Sequence, residues 1–180
     1  MIVIYSTGLI ADEWGGLKMD CTDIPTLELL KSYDAILEEL RKRDIVRTSN
    51  PPAGGYAEYL AAKALGLDLE NNSNAGYDAK DKENNKYEIK ARRVTQHNKS
   101  RRLSAIRNIE KCHFDFLIGI LFSSDFSVFK AALIPRSVVV EKCRFSDHTN
   151  SSIFILNDSI WECEGVEDIT NVLQEAQGVV

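Results

Sequence analysis

The stretch that decides the fold is Gly76-Tyr77-Asp78, a polar turn, and then Lys86-Tyr87-Glu88-Ile89-Lys90-Ala91-Arg92. In residues 86–92 charged and apolar side chains alternate. Such alternation is typical of a half-buried β-strand, because successive side chains leave opposite faces of the sheet. We therefore predict that these two stretches are the arms of one hairpin.

The intervening Asp81-Lys82-Glu83-Asn84-Asn85 is polar and rich in turn formers. With a three-residue loop at 82–84, Asp78 faces Glu88 across the ladder and Lys90 lies two residues along on the same face. Two carboxylates and an ammonium then converge, an arrangement suited to a metal ion and a phosphate.

The chain of 180 residues, 44% of them hydrophobic, is long enough to bury one core. We predict a single domain over residues 1–180. Within it, 1–50 form an N-terminal helical extension, 54–134 a core and 135–180 a C-terminal elaboration.

Composition also restricts where the protein works. No apolar run reaches the length that crosses a bilayer, and the first residues lack the pattern of a secretory signal. Cys21, Cys112, Cys143 and Cys163 are widely spaced without a Cys-x-x-Cys pair, so we expect reduced thiols rather than a zinc site. We expect a cytoplasmic protein without a membrane partner.

Charge is unevenly distributed along the chain. The net charge is −5, yet the segment 90–111 carries Glu110 as its single acid. Its basic residues are Lys90, Arg92, Arg93, Lys99, Arg101, Arg102, Arg107 and Lys111. A solvated charge run and a polyanion-binding surface both explain such a segment.

The remaining pattern predicts an α/β protein with a mixed central sheet flanked by helices. Gly54-Gly55 is expected to break the chain, with Pro51-Pro52, before the second helix. We predict strands at 2–5, 114–122, 127–134 and 153–156, helices at 27–43, 56–65, 103–111 and 166–176, and a short helix or bend at 135–142.

The order of a helix with Glu58, a strand with Asp78, a strand with Glu88-x-Lys90, a helix and a strand resembles the PD-(D/E)XK nuclease superfamily. The similarity covers roughly residues 54–134 and is greatest to restriction-endonuclease-like proteins. Tyr77 stands before Asp78 where the motif name has proline. The resemblance implies a restriction-endonuclease-like core.

The resemblance also implies roles for the matching residues. Asp78, Glu88 and the backbone carbonyl of Ile89 would hold Mg²⁺, with Mn²⁺ as a substitute. Glu58 would ligate through water or hold a second ion. Lys90 would position the attacking water and stabilise charge on the scissile phosphate. Carboxylate oxygens are the ligands that Mg²⁺ prefers, and such an ion generates a nucleophile near neutral pH.

The basic loop after the motif is the predicted DNA-binding surface. Its donor-rich residues are Arg92, Arg93, Gln96, Asn98, Lys99, Arg101 and Arg102. His97 is either a general acid or a solvated side chain. Cutting both strands of a duplex favours a homodimer, and a restriction context would add a cognate methyltransferase or another defence protein.

The expected activity is therefore Mg²⁺-dependent endodeoxyribonuclease cleavage of duplex DNA. Two alternatives keep the same fold: a repair or structure-specific nuclease, and a DNA-binding module without catalysis. A third is an α/β domain that binds another protein, which predicts no salt-dependent affinity for DNA.

Overall fold

A computed structural model describes residues 9–11, 17–70, 76–107, 109–111, 113–146 and 150–178; the predicted strand at 2–5 lies outside them. The chain forms two compact units, Met1–Arg43 and Asp44–Val180. No helix in the described part of the chain is long and apolar enough to cross a membrane. Of the four cysteines, Cys143 and Cys163 are free thiols, and Cys112 is not among the described residues.

The first unit contains a short antiparallel hairpin and a long helix. Strands β1 (Leu9–Ala11) and β2 (Leu17–Met19) pair with each other, and α1 spans Thr26–Lys42. The helix prediction for 27–43 is confirmed, because apolar residues recur at helical spacing and basic residues close the last turn. Leu37 is buried, whereas four apolar side chains of α1 are exposed: Leu27, Leu30, Tyr33 and Ile36.

The second unit contains three helices and eight strands among the described residues. Helix α2 spans Ala53–Leu65, α3 Arg136–Lys142 and α4 Thr170–Gly178. The strands are β3 (Asp68–Leu69), β4 (Ala79–Lys80), β5 (Lys86–Arg93), β6 (Phe116–Phe122), β7 (Val128–Pro135), β8 (Arg144–Ser146), β9 (Ser151–Ile153) and β10 (Glu167–Asp168).

A mixed sheet of six strands, in the order β10-β7-β6-β5-β4-β3, forms the centre of this unit. Strands β5 and β6 are parallel, with Lys90 beside Gly119, and the other described pairs of this sheet are antiparallel. Strand β6 is buried almost throughout, as its continuous apolar run predicts for a central strand. The α/β prediction with a mixed sheet between helices is thereby confirmed.

Both faces of the sheet are covered. On one face Ile89, Ile118 and Ile120 pack with Leu60 of α2 and Leu173 of α4. The other face packs Leu117 and Leu121 of β6 against apolar residues of α3 and of the chain on either side of it: Leu103, Ile106, Val138, Val139, Phe154 and Leu156. The even-numbered residues of β5, all of them charged, lie on the same face of the sheet as Leu117 and Leu121.

Two local predictions are wrong. Residues 103–107 do not form the predicted helix; the Leu103 N–H donates to the Phe154 carbonyl at 3.0 Å and the Ile106 N–H to the Ser152 carbonyl at 3.0 Å. Among the described residues there, helical geometry is restricted to a short 3₁₀ turn, Ile109–Lys111. Distant backbone partners therefore override the local apolar spacing.

The second wrong prediction is that Gly54 and Gly55 break the chain before the helix. Both glycines lie inside the first turn of α2. A Cβ on Gly55 would lie 3.3 Å from Val46, which is buried, so the glycine permits a close approach. Glu58 consequently lies in the second turn of α2, whereas a helix that began at residue 56, as predicted, would have it in the first turn.

The predicted strand at 153–156 is only partly confirmed. Strand β9 ends at Ile153 and pairs with β8 in a separate two-stranded sheet. Ile155 forms an isolated bridge with Arg102. At the C-terminus, the single predicted helix 166–176 is divided into β10 and α4, and α4 begins at Thr170.

Candidate active site

The turn before β4 places Asp78 at the open end of the hairpin. Gly76 has φ 124°, and a Cβ there would lie 2.6 Å from the Cβ of His113. Both the backbone conformation and the space therefore require glycine. After this turn, the N–H of Asp78 donates to the Tyr87 carbonyl at 2.8 Å, which joins the chain to β5.

The hairpin loop sets the register that brings the charged residues together. The N–H of Asp81 donates to the Asn85 carbonyl at 3.1 Å, around a loop of residues 82–84. Ala79 then pairs with Tyr87, and the Asp78 N–H donates to the carbonyl of the same Tyr87. The predicted loop length is confirmed, and Asp78, just before β4, lies close enough to Glu88 for both carboxylates to contact Lys90.

Asp78, Glu88 and Lys90 form one ion-pair cluster. Lys90 Nζ lies 2.6 Å from Glu88 Oε1 and 3.4 Å from Asp78 Oδ2. The exposed fraction of the side chain is only 16% for Lys90, 14% for Glu88 and 24% for Asp78. The cluster is thus shielded from bulk water but still open to a ligand.

Asp78 is held by the backbone as well as by the lysine. Its Oδ2 accepts a 2.7 Å hydrogen bond from the N–H of Ile89, so the carboxylate satisfies a ladder donor of β5. Lys90 Nζ also donates to the Ile89 carbonyl at 3.2 Å. Two carboxylate oxygens and one carbonyl oxygen therefore surround a single cation.

These oxygens are the same three that the resemblance assigns to Mg²⁺. Hard divalent cations select carboxylate and carbonyl oxygens, and the lysine ammonium marks the point where the three converge. The donor set fits a magnesium ion in its chemistry. Binding would require the ammonium to move away from the carboxylates, which the flexible stem of lysine allows.

Burial and mutual charge shift the pKa values of the pair. Burial, reinforced by the charges of Asp78 and Glu58, raises the pKa of Glu88 against the opposing effect of Lys90. Burial by itself would lower the pKa of Lys90, but the Asp78 and Glu88 carboxylates outweigh it and raise that pKa. Lys90 is consequently an ammonium at neutral pH.

Glu58 does not join this cluster directly. It forms an ion pair with Arg47, whose guanidinium also donates to the Glu70 carbonyl. The N–H of Glu70 donates to the Asp78 carbonyl at 2.9 Å, so the Arg47 pair is linked to the backbone of the site. Residues 47 and 70 were not among the predicted site residues, since no local pattern relates them to 58 or 78.

The described residues contain no group of three or more histidine, cysteine, aspartate or glutamate side chains arranged to hold a metal ion. The candidate ligand set at the hairpin is accordingly two carboxylates and a carbonyl. A direct third carboxylate from Glu58 would require its pair with Arg47 to open.

Arg92 continues the charged face of β5 beyond Lys90. Its Nε is buried and has no hydrogen-bond partner among the described residues. A buried donor without an acceptor is costly, about 1–3 kcal/mol, so this atom is suited to an incoming anionic oxygen. Of the predicted DNA-binding residues, Arg92 is the nearest in sequence to the cluster.

Arg93 and Arg101 are engaged by the protein itself. Arg93 Nε donates to the Ser124 carbonyl at 2.9 Å, and its guanidinium lies over the Phe126 ring. Arg101 pairs with Asp158 at 2.9 Å and lies over the Phe129 ring. Both arginines therefore stabilise the fold around β7, whatever else they contact.

The rest of the predicted surface is an exposed turn after β5. Thr95 and Asn98 exchange backbone hydrogen bonds of 2.9 and 3.1 Å, which close this turn. Gln96 Nε2 lies 3.0 Å from His97 Nε2. The exposed side chains here are Gln96, His97, Asn98 and Lys99 on the turn, with Arg102 farther along.

The comparisons with known proteins add no assignment: no family model matches the chain, and no curated protein matches it significantly.

Proposed function

We propose that the protein is a Mg²⁺-dependent endodeoxyribonuclease with a restriction-endonuclease-like core, acting on duplex DNA. The observation that carries the proposal is the convergence of Asp78 Oδ2, Glu88 Oε1 and the Ile89 carbonyl within 3.4 Å of Lys90 Nζ. Paired carboxylates beside a lysine on two adjacent strands suit hydrolysis of a phosphodiester.

The sheet supports the same proposal. The hairpin β4–β5 carries the acidic residues, and β5 continues into a sheet through its parallel partner β6. Helix α2 packs on the face of the sheet that carries Ile89, and its Glu58 is close enough for its charge to act on Glu88. The order α2, β4, β5 and β6 supports the proposal, whereas the described residues between β5 and β6 do not form the helix that the resemblance includes.

The residues divide the work of hydrolysis between them. A bound Mg²⁺ would neutralise charge on the phosphate and lower the pKa of a coordinated water. Asp78, Glu88 and the Ile89 carbonyl would hold it, and the Ile89 N–H keeps Asp78 in place. Lys90, once released from the carboxylates, donates hydrogen bonds to the attacking water and to a phosphate oxygen.

In the net reaction, the water oxygen forms a bond to phosphorus and the bond from phosphorus to the leaving sugar oxygen breaks. One proton of the water is lost to solvent, and the leaving oxygen acquires one. Since Lys90 is charged at neutral pH, it acts here as a donor and an electrostatic stabiliser rather than as the base.

DNA is the proposed polyanion because cationic residues follow Lys90 along the chain, first Arg92 on β5 and then the basic residues after the strand. The unpartnered Nε of Arg92 offers a donor to a phosphate next to the cluster. Exposed residues of the turn at 95–99 are positioned after the same strand. A homodimer, and a methyltransferase or other defence protein as partner, belong to this proposal.

The test is incubation of supercoiled plasmid with Mg²⁺, comparing wild type with Asp78→Asn. We expect the wild type to nick or linearise the plasmid and Asp78→Asn to be at least about 100-fold slower, because it loses a metal ligand. Asp68→Asn is the matched control, since Asp68 is exposed on β3.

Cleavage that persists in Asp78→Asn or in excess chelator contradicts the proposal. A wild type that binds duplex DNA without cutting it supports the module without catalysis. Cleavage confined to branched or damaged DNA supports the structure-specific nuclease. No salt-dependent DNA affinity at all supports a domain that binds another protein.

A further inference from the structure

A second concavity lies among the C-terminal strands and shares no residue with the carboxylate cluster. It has a volume of about 370 Å³, at the lower end of the range for ligand-binding clefts. We call it the basic cleft. Its lining residues are Arg102, Lys142, Arg144, Ile153, Ile155, Asn157, Ser159 and Ile160.

The cleft is cationic. Arg102 and Arg144 form no ion pair with any described residue, and no acidic residue is part of the lining. Lys142 pairs with Glu141 at 2.8 Å, but both side chains are more than 40% exposed, so this pair is weak. Asp158, adjacent to Asn157 in sequence, is already bound by Arg101 and Lys130.

Beside these charges lies an apolar floor. Arg144 is the ladder partner of Ile153 in the β8–β9 pair, and Arg102 bridges Ile155. Ile155 is 51% exposed, which is high for a residue bordering a cleft in the folded chain. Guanidinium groups next to exposed apolar surface match a phosphate joined to a sugar and a base.

The cleft lies on the same side of the main sheet as the carboxylate cluster. Leu103 and Leu156 pack on Gly119, where a Cβ would lie 3.3 and 3.0 Å from them, and Gly119 is beside Lys90 in the sheet. Their chain neighbours Arg102 and Ile155 line the cleft. The cleft is therefore on the outer side of the layer that covers the sheet next to the site.

We propose that the basic cleft is a second DNA-contact site, which binds backbone phosphates through Arg102 and Arg144 and receives a sugar or base on its isoleucine floor. This inference rests on the proposed function for the identity of the polyanion. It adds Lys142 and Arg144 to the interface, both outside the basic loop that the sequence indicated.

The experiment measures binding of a fluorescent DNA duplex in excess chelator, where cleavage is blocked. At about 0.1 M salt we expect Arg144→Gln to weaken binding about 3- to 10-fold and to reduce the slope of log K against log salt by about 1, as for one lost phosphate contact. Lys63→Gln removes the same charge from an exposed position on α2, across the sheet, and should change neither value.

Arg144→Lys, which keeps the charge, should restore most of the affinity, and equal thermal midpoints of the variants exclude misfolding. If Arg144→Gln binds like the wild type with an unaltered salt slope, the cleft is not a DNA contact, even where Asp78→Asn demonstrates a nuclease. If instead Arg144→Gln loses affinity while the wild type cuts no DNA, the cleft proposal holds and the nuclease proposal fails.

A further measurement distinguishes a cleft that binds a DNA strand from a cleft that binds a free nucleotide. Titration of the labelled backbone amide of Arg144 by NMR compares a deoxynucleoside 5′-monophosphate with a short duplex. The proposal is supported if the chemical shift of this amide saturates at a lower concentration of duplex than of mononucleotide. Tighter binding of the mononucleotide would make the cleft a nucleotide site and overturn it.

Discussion

Lys90 is the residue on which the chemistry of the cluster depends. Its ammonium contacts both carboxylates and the Ile89 carbonyl, so the protein supplies its own cation where the proposal places Mg²⁺. Without a cation, two partly buried carboxylates would face each other across the hairpin. The lysine thus neutralises the two carboxylates in the folded chain and, in the same position, would compete with the proposed metal.

Replacing Lys90 with methionine tests both roles. We expect the free energy of unfolding in chelator to fall by about 1–3 kcal/mol, below the range for a fully buried pair because water still reaches these groups. Mg²⁺ should recover more stability in Lys90→Met than in the wild type, since it no longer displaces an ammonium. Cleavage should fall by at least about 100-fold.

Urea denaturation with and without Mg²⁺ and the plasmid assay provide these values. Lys82→Met, an exposed loop change on the same hairpin, is the control and should leave all three unchanged. Full cleavage by Lys90→Met would disprove its catalytic role, and equal metal response in both proteins would disprove the competition.

The hairpin β4–β5 is the element that creates the site, and Asp81 fixes its loop. The Asp81 carboxylate accepts hydrogen bonds from the N–H and side-chain amide of Asn85, both at 2.8 Å, and from the Tyr87 hydroxyl at 2.9 Å. Burial and the nearby carboxylate raise the pKa of Tyr87 to about 12, so its hydroxyl stays a donor. The loop sets the register of β4 against β5, and this register brings Asp78 and Glu88 close to the same lysine, Lys90.

Stability should therefore depend on pH through Asp81. The side-chain hydrogen bond from Asn85, and then that from Tyr87, lower the pKa of Asp81 below that of the unfolded chain. The contribution is present above the unfolded value, about 3.9, and is lost as pH falls through the lower folded value. Asp81→Asn should reduce the free energy of unfolding at pH 7, and the deficit should shrink below about pH 4.

Urea titrations across pH 3–7 measure this difference, with Glu83→Gln in the same loop as the control. A deficit that is the same at every pH would show that the charge of Asp81 is not what stabilises the loop.

Helix α2 contributes to the site through the Arg47–Glu58 pair rather than through a free carboxylate. Arg47 also binds the Glu70 carbonyl, and Glu70 is bonded to the backbone of Asp78. Arg47, in the segment just before α2, is thereby joined to Glu70, just after β3, beside the cluster. Glu58 acts in this arrangement as an anchor of Arg47, and its charge raises the pKa of Glu88.

At the scale of the whole molecule, metal binding should be linked to folding. An ion that binds only the folded state stabilises it by RT ln(1 + [L]/Kd), which is about 1.4 kcal/mol at tenfold excess over Kd. For a protein of this length that corresponds to a rise of about 3–6 °C in Tm. Removal of the metal with chelator should reverse it.

Scanning calorimetry with Mg²⁺ or Mn²⁺ measures the shift. Glu88→Gln should show little of it, whereas Asp68→Asn should respond like the wild type. Equal shifts in the wild type and Glu88→Gln would place any bound ion elsewhere in the molecule.

The amino-acid sequence by itself determined the hairpin, its loop of three residues, the central buried strand β6 and helices α1 and α2. These features depend on local alternation, turn chemistry and apolar periodicity, which the chain carries whatever its environment. The candidate cluster of Asp78, Glu88 and Lys90 followed from them, because register alone brings those residues together.

Only the tertiary structure decided the segment 103–111, the pair Arg47–Glu58 and the basic cleft. The N–H groups of Leu103 and Ile106 donate to carbonyls about fifty residues away, so residues 103–107 do not form the helix that their apolar spacing favours. Arg47 pairs with Glu58, and Arg102 lines the same cleft as Arg144, although no periodic relation in the sequence links either set of positions. Contacts between distant segments depend on how the layers pack, and local sequence pattern does not encode that packing.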